Sequence, residues 1–297
     1  MGEHYPRIRP ASWNGGLLMR EGLNLCIYMD RPHQEVAPGV AHALNVYLEA
    51  VGMNALAWYP DDEGDWSKLD APRWEALRSE LLAPDSPGAH VFKMCERPDA
   101  APSYEVEYCG KDREDLLLGA VCALSFWLPT EYMEEHGPEK VRALALELAG
   151  PLPFCSAHAG LAFKHIGTPK ELRTLRLRYP GMDDCDLMRV SWTLGTRVRG
   201  PSWMNFLGPP VLHELGGAQG LRSHLSSPGI NVQELPGERA LITLGPWPDA
   251  GDTEQGRDLP HYRELARVLE PWLYHEPSLQ DPVASEETRR WERRFLD

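Results

Sequence analysis

The chain has 297 residues, of which 42% are hydrophobic, enough for one large domain or two of modest size. It carries 44 acidic residues against 30 basic ones, which gives a formal net charge of -14 at pH 7. A chain this acidic is repelled by phosphate backbones, so we expect no direct binding to nucleic acid. The charge instead favours a basic protein partner. The alternative is that the acidity serves only to keep the protein soluble.

The cysteines and the N-terminal segment indicate a reducing compartment. Six cysteines include no CxxC pair and lie mostly in apolar runs, at positions 26, 95, 109, 122, 155 and 185. We expect buried free thiols and no disulfide framework. The first residues lack the apolar region of a signal peptide, and no run of about 18 apolar residues occurs. The sequence therefore predicts a cytoplasmic protein with no membrane partner.

In the first half of the chain, the predicted strands come before and after single helices along the sequence. Residues 1–20 form an irregular lead-in, 23–30 a buried strand, and 36–52 an amphipathic helix that ends at Gly52. A second helix is expected at 71–82, and further strands are expected at 55–60, 89–96, 104–110 and 121–129. The last of these strands is too apolar for a sheet edge, which predicts a central position.

The second half begins with a helix. We expect Thr130 to cap this helix, which is either interrupted or restarted at Gly137-Pro138, and Thr168 to cap another at 168–183. Between them, 154–163 reads as a strand whose small residues indicate close packing. The remaining elements are predicted as a strand at 198–208, a short helix at 209–217, a hairpin at 230–245, a helix at 261–274 and a C-terminal surface helix.

This order predicts an α+β fold. Strands recur in pairs between helices, which favours a mixed, mainly antiparallel sheet packed by amphipathic helices. After the lead-in at 1–20, we expect residues 21–297 to form a single domain. Its parts 21–165 and 185–275 each run strand, helix, paired strands and helix, so they are possible pseudo-repeated halves.

No catalytic, metal or cofactor motif emerges from the sequence. Cys155 and His158 lack a second ligand cluster that would complete a zinc site, and His213 lacks the second histidine of an HExxH motif. There is no GxSxG elbow and no glycine-rich phosphate loop. We predict that the protein is not an enzyme and needs no metal or cofactor. The alternative is a small-molecule enzyme or binding protein with a scattered site built from Cys155, His158 and His213.

Acidic loops are the best candidates for a partner-binding surface. The first choice is the loop of Asp61, Asp62, Glu63 and Asp65 beside Trp66, because charge speeds encounter and a buried ring supplies affinity. The second choice is Asp183 and Asp184, and the third is the loop 249–258. Ordinary solvated turns are the alternative for each of these loops.

Several motifs resemble a known family as a set. They are FWLPTEY and HGPE from residue 126 to 139, CSAHAGLAF at 155–163, RYPGMD at 178–183, and WMNFLG with LGG between 203 and 217. Over roughly residues 20–275 the chain is similar to the type VI immunity family of TsiV-like proteins.

The resemblance implies an immunity protein that neutralises a VRR-Nuc nuclease effector of a type VI secretion system. The acidity of the chain adds the expectation that it does so by covering the basic active-site cleft of the effector. The motifs themselves look structural. We expect Phe126, Trp127, His158 and Phe163 to pack between sheet and helices, and the resemblance assigns no interface residues.

Overall fold

A computed structural model describes residues 4–13, 15–83, 90–184, 186–277 and 282–297, with side chains of the last range from residue 286 onward. Within these ranges the chain forms ten strands: β1 (Met19–Met29), β2 (Trp58–Pro60), β3 (Trp66–Lys68), β4 (Val91–Cys95), β5 (Glu105–Cys109), β6 (Cys122–Pro129), β7 (Ser156–His165), β8 (Met204–Leu207), β9 (Ile230–Leu235) and β10 (Arg239–Leu244).

The described ranges also contain eleven α-helices: α1 (His33–Val51), α2 (Ala71–Leu81), α3 (Arg113–Leu116), α4 (Thr130–His136), α5 (Pro138–Ala149), α6 (Leu172–Arg178), α7 (Leu187–Ser191), α8 (Val211–Glu214), α9 (Gly217–His224), α10 (Pro260–Leu269) and α11 (Pro282–Glu292).

All ten strands belong to one sheet, in the order β3-β2-β4-β5-β6-β1-β7-β8-β10-β9. Every pair of neighbours in that order is antiparallel. Strand β1 lies at the centre, where Leu25 is opposite Phe126 of β6 and Ala159 of β7. The predicted α+β class with a mainly antiparallel sheet is confirmed. Strands from both proposed halves join this one continuous sheet.

Helices cover both faces of the sheet, which explains why the central strands are apolar throughout. Every residue of β1 and β6 is buried. Helices α1, α4 and α5 pack with one face around Tyr47 and Phe126, whose rings are 5.0 Å apart. The other face packs against α7 through Val190 and against α8 to α10 through Leu265. The central placement predicted for residues 121–129 is therefore correct.

The small residues of β7 also serve close packing, as predicted. A Cβ atom added to Gly160 would lie 2.2 Å from Ser202 Oγ, so only glycine fits beside that segment. The predicted packing residues Phe126, Trp127, His158 and Phe163 are all buried. The hairpin predicted at 230–245 is formed by β9 and β10, and its turn puts Glu238 in the left-handed region at φ 56°.

Two predicted helix caps are wrong. Thr130 is the first residue of α4 and makes no side-chain cap, because its hydroxyl instead donates to the buried Glu21 carboxylate at 3.3 Å. The helix predicted from Thr168 starts only at Leu172, after Glu171 and without a side-chain cap. The start of α4 depends on a tertiary contact of Thr130, and the start of α6 depends on the local path of the chain. Neither can be read from the sequence pattern.

The N-terminal lead-in is irregular, as expected, but it is firmly tied to the sheet. The fully buried carboxylate of Glu21 on β1 accepts hydrogen bonds from the backbone N–H of Ile8 at 2.9 Å and from Arg9 Nη2 at 2.6 Å. Arg7 lies 3.3 Å from the same carboxylate. A buried carboxylate needs such partners, so these contacts hold residues 7–9 against the sheet.

The C-terminal helix is held by a tryptophan surrounded by arginines. The buried ring of Trp291 contacts the guanidinium groups of Arg294, Arg176 and Arg199, at 3.7, 4.7 and 5.1 Å from its centroid. Arg294 also donates to the backbone carbonyl of Pro180 at 2.7 Å. Cation–π contacts of this kind strengthen when water is excluded, so they dock α11 onto the segment around α6.

Candidate functional site

The acidic loop 61–65 connects the hairpin of β2 and β3 at one edge of the sheet. The carboxylate of Asp61 accepts hydrogen bonds from the backbone N–H groups of Glu63 and Asp65, at 3.2 and 2.9 Å, and from Ser67 Oγ at 3.0 Å. Desolvation acts to raise the pKa of Asp61, but these hydrogen bonds outweigh it and lower the pKa. Asp61 therefore gives the loop its shape.

The other three acids of the loop are available to a partner. Asp62, Glu63 and Asp65 are exposed, and their carboxylates make no ion pair or hydrogen bond within the described part of the chain. Trp66 follows them on β3, the outermost strand, and is 38% exposed. The hairpin thus presents three free negative charges beside a partly exposed aromatic ring.

The second predicted site is only partly accessible, since Asp183 is buried and Asp184 is half-buried. Asp183 is buried, with its carboxylate 3.2 Å from His158 Nε2 and 3.5 Å from Arg199 Nη2. Burial raises the pKa of Asp183, but the charge of Arg199 and the close approach of His158 outweigh it and hold the pKa well below its usual range. Asp184 pairs with His165 at 3.0 Å and with Arg176 at 3.2 Å. These carboxylates are committed to internal ion pairs, so we leave them out of the partner-binding surface.

The third acidic loop, 249–258, is also paired internally. Asp249 lies 2.8 Å from Arg257, Asp252 lies 2.9 Å from Arg178, and Asp258 lies 2.8 Å from Arg263. Arg178 lies 74 residues before Asp252 in the sequence, whereas Arg257 and Arg263 lie within or just after the loop. The run of acidic residues alone did not show that these arginines pair with them. Of the three predicted acidic loops, only the hairpin loop 61–65 keeps several unpaired carboxylates.

The scattered Cys/His site of the alternative hypothesis does not assemble. The Cys155 thiol is buried, donates to the backbone carbonyl of Tyr28 at 3.2 Å, and has a pKa raised to about 12 by burial, so it is no nucleophile at neutral pH. His158 faces Asp183, and His213 is exposed on α8. No hydrogen bond or ion pair joins any two of the three within the described ranges.

The remaining chemistry gives no further candidate centre. The described cysteines are buried and free, as predicted, at positions 26, 95, 109, 122 and 155, whereas Cys185 lies outside the described residues. Among residues the structure describes, no three His, Cys, Asp or Glu side chains are arranged to hold a metal ion. No helix in the same ranges is long and apolar enough to cross a bilayer.

One exposed surface was missed at the sequence level. Leu117 and Leu118 are 83% and 85% exposed, and Trp192, on a segment hydrogen-bonded to theirs, is 45% exposed. In the sequence, the run of leucines at 116–118 stands only three residues before the buried strand β6, so it is not distinguishable from the start of that strand. The glycine at 119 was the available signal, because its φ of 90° marks a turn that separates the two.

Comparison with known proteins connects this architecture to a family. No curated protein matches the chain. Among solved structures, the chain is similar to the Pseudomonas aeruginosa T6SS protein PA0821, with a TM-score of 0.81 and 19% identity over 97% of this chain and 87% of that chain. At this identity the likeness concerns the fold. Residues 39–295 match the model of the family TsiV, described as type VI immunity for VRR-NUC. Because that match spans most of the sequence, the chain belongs to the TsiV family of type VI immunity proteins.

Proposed function

We propose that this protein binds a cognate toxic effector, a VRR-Nuc DNase of a type VI secretion system, and neutralises it by covering the basic active-site cleft. The observation that carries the proposal is the family match over residues 39–295. The net charge of -14 supports it, because a nuclease must offer a cationic surface to DNA. In this function the protein acts by binding, without turnover, in the bacterial cytoplasm where the effector meets DNA.

The acidic hairpin loop is the part of the surface that we propose to enter the cleft. Its free carboxylates on Asp62, Glu63 and Asp65 would stand in for the phosphates of the substrate. Long-range attraction between these charges and the cleft speeds encounter, and it weakens as salt screens it. Trp66 acts after encounter, since a ring that becomes buried in the complex chiefly slows dissociation.

The function itself is tested by co-purification with the nuclease effector sought in the neighbouring gene and by titration of its DNase activity. We expect a stable complex and complete inhibition near one equivalent. Failure of the neighbouring nuclease to bind, or full DNase activity in the presence of excess immunity protein, would overturn the proposed function.

The placement of the interface is tested separately. In the loop variant Asp62→Asn/Glu63→Gln/Asp65→Asn, Asp61 is kept because its hydrogen bonds shape the turn. A matched control removes three exposed charges from helices α1 and α5, in Glu49→Gln/Glu139→Gln/Glu147→Gln.

We expect the loop variant to associate about tenfold more slowly at low salt and to show a flatter salt dependence than the control. Trp66→Ala should mainly speed dissociation. Equal kinetics of the loop variant and the control would remove the hairpin from the interface but leave the function standing.

A further inference from the structure

Leu117, Leu118 and Trp192 are exposed apolar side chains on two neighbouring loops, and together we call them the leucine–tryptophan patch. Two hydrogen bonds join the loops that carry it: Gly195 N–H donates to the Gly119 carbonyl at 3.0 Å, and Val121 N–H donates to the Ser191 carbonyl at 2.7 Å. Apart from Trp13, the two leucines are the most exposed large hydrophobic side chains in the described ranges. Apolar side chains grouped in this way on a surface mark an interaction site.

The leucines stand on a structured turn. Helix α3 begins with a capping box in which Asp112 and Asp115 satisfy each other's backbone N–H groups. The N–H groups of Leu118 and Ala120 then donate to the carbonyl of Asp115, at 3.0 and 3.2 Å. Because this backbone is already ordered, binding through the leucines costs little conformational entropy.

Trp192 is held in place by a buried lysine. Lys111 is only 2% exposed, and its Nζ lies 3.3 Å from the centroid of the Trp192 ring. The ammonium group makes no hydrogen bond with any described residue, so the ring is its principal contact. Burial lowers the pKa of Lys111. A cation–π contact with a desolvated cation fixes the orientation of the ring, which makes Trp192 a preorganised anchor.

The charges around the patch favour a cationic partner. Two neighbouring arginines are already paired: Arg113 with Glu35 at 3.1 Å and Arg189 with Glu276 at 2.6 Å. Asp30 and Glu114, in contrast, are exposed, and their carboxylates make no ion pair or hydrogen bond in the part of the chain that the structure describes. These unpaired negative charges lie on segments that adjoin the patch: Glu114 is on α3, and Asp30 follows Met29, which is opposite Cys122 at the start of β6.

The patch and the acidic hairpin loop lie at the same end of the sheet. The antiparallel register places the end of β2, the end of β5 and the start of β6 on that side. In the order β2-β4-β5-β6 the two surfaces are two to three strands apart, or roughly 10–15 Å at about 4.8 Å per strand. A standard interface of about 800 Å² per partner is roughly 30 Å across, so one partner can cover both.

We propose that the leucine–tryptophan patch is the apolar anchor of the effector interface, and that it fills an apolar pocket bordered by cationic side chains on the nuclease. This inference rests on the proposed function. The two surfaces then have different roles: the charge of the hairpin loop speeds association, and burial of the patch chiefly slows dissociation.

The test is the double variant Leu117→Ala/Leu118→Ala, measured for binding to the nuclease with which the wild-type protein co-purifies. The leucines are preferred to Trp192, because removal of the ring would also uncover the Lys111 ammonium group. The control is Met53→Ala/Ile166→Ala, which removes two exposed apolar side chains at the opposite end of the sheet. Thermal unfolding of both variants verifies that each is folded.

We expect the leucine variant to bind roughly 10- to 100-fold more weakly, almost wholly through faster dissociation, with the control near wild type. Unchanged affinity of the leucine variant, while wild type binds, would overturn this inference and leave the proposed function intact. If sedimentation of the protein alone shows a dimer that the leucine variant abolishes, a second copy occupies the patch and the inference is also overturned. Failure of the wild type to bind would contradict the proposed function instead.

Discussion

Replacement of Asp183 by asparagine tests whether this carboxylate is an internal ion-pair partner or part of a binding surface. Its side chain is buried between His158 and Arg199, and Arg199 is itself buried. Asparagine keeps the size but removes the negative charge that compensates the guanidinium group. Loss of one partner of a buried pair costs about 3–5 kcal/mol. Since domains of this kind unfold with roughly 5–15 kcal/mol, the loss should be evident at once.

The assay is urea unfolding followed by tryptophan fluorescence at several pH values. Because the pKa of folded Asp183 is lowered, its stabilising effect is complete above the unfolded value of about 3.9 and is lost as the pH falls below it. The difference between wild type and Asp183→Asn should therefore be largest at pH 6–7 and shrink below about pH 4.

The matched control is Asp258→Asn, because Asp258 pairs with Arg263 at an exposed position. It should change the free energy of unfolding by less than about 1 kcal/mol. A cost below about 1 kcal/mol for Asp183→Asn, or a cost independent of pH, would refute the assignment of a buried ion pair. Loss of effector binding in a fully stable Asp183→Asn protein would return this residue to the interface.

Three further predictions concern the core. Phe126→Ala should lower the free energy of unfolding by about 3–5 kcal/mol, because the ring is buried against Tyr47; a cost near zero in urea unfolding would contradict this packing. The thiol of Cys155, with its pKa raised to about 12 by burial, should react with a thiol-specific reagent only after unfolding, and rapid labelling of the native protein would show the thiol to be accessible. Burial, followed by the neighbouring charge of His90, lowers the pKa of His33 to about 4. The contribution of neutral His33 to stability is therefore complete above about pH 6.5 and is lost as the pH falls toward 4. In His33→Gln this part of the pH dependence of unfolding should disappear; an unchanged dependence would assign it to other groups.

The sequence predicts the elements of this fold well, because hydrophobic periodicity is local. The apolar run 121–129 and the hairpin at 230–245 follow directly from pattern and turn residues. It predicts the caps at Thr130 and Thr168 wrongly, because the competing partner of Thr130 is Glu21, more than a hundred residues earlier.

The candidate site was harder to predict for the same reason. Asp62 and Asp183 look alike in the sequence, as members of short acidic runs. Only the tertiary structure distinguishes them, by bringing Arg199 and His158 to Asp183 while Asp62 stays exposed. Exposure of Leu117 and Leu118 is likewise a property of the turn at Gly119, and the apolar character of the residues does not reveal it.

The central position of β1 has a consequence for how the protein is made. The ribosome produces this strand first, yet its partners in the sheet, β6 and β7, follow about 100 and 130 residues later, as the pairing of Leu25 with Phe126 and Ala159 shows. At translation rates of about 5–20 residues per second, an eleven-residue apolar strand waits roughly 7–27 s for its second neighbour. During that interval the backbone hydrogen-bonding groups of β1 have no partner strand on at least one side. Until β7 is complete, this apolar strand lacks its partner on one side, so we expect the nascent chain to be prone to aggregation in this interval.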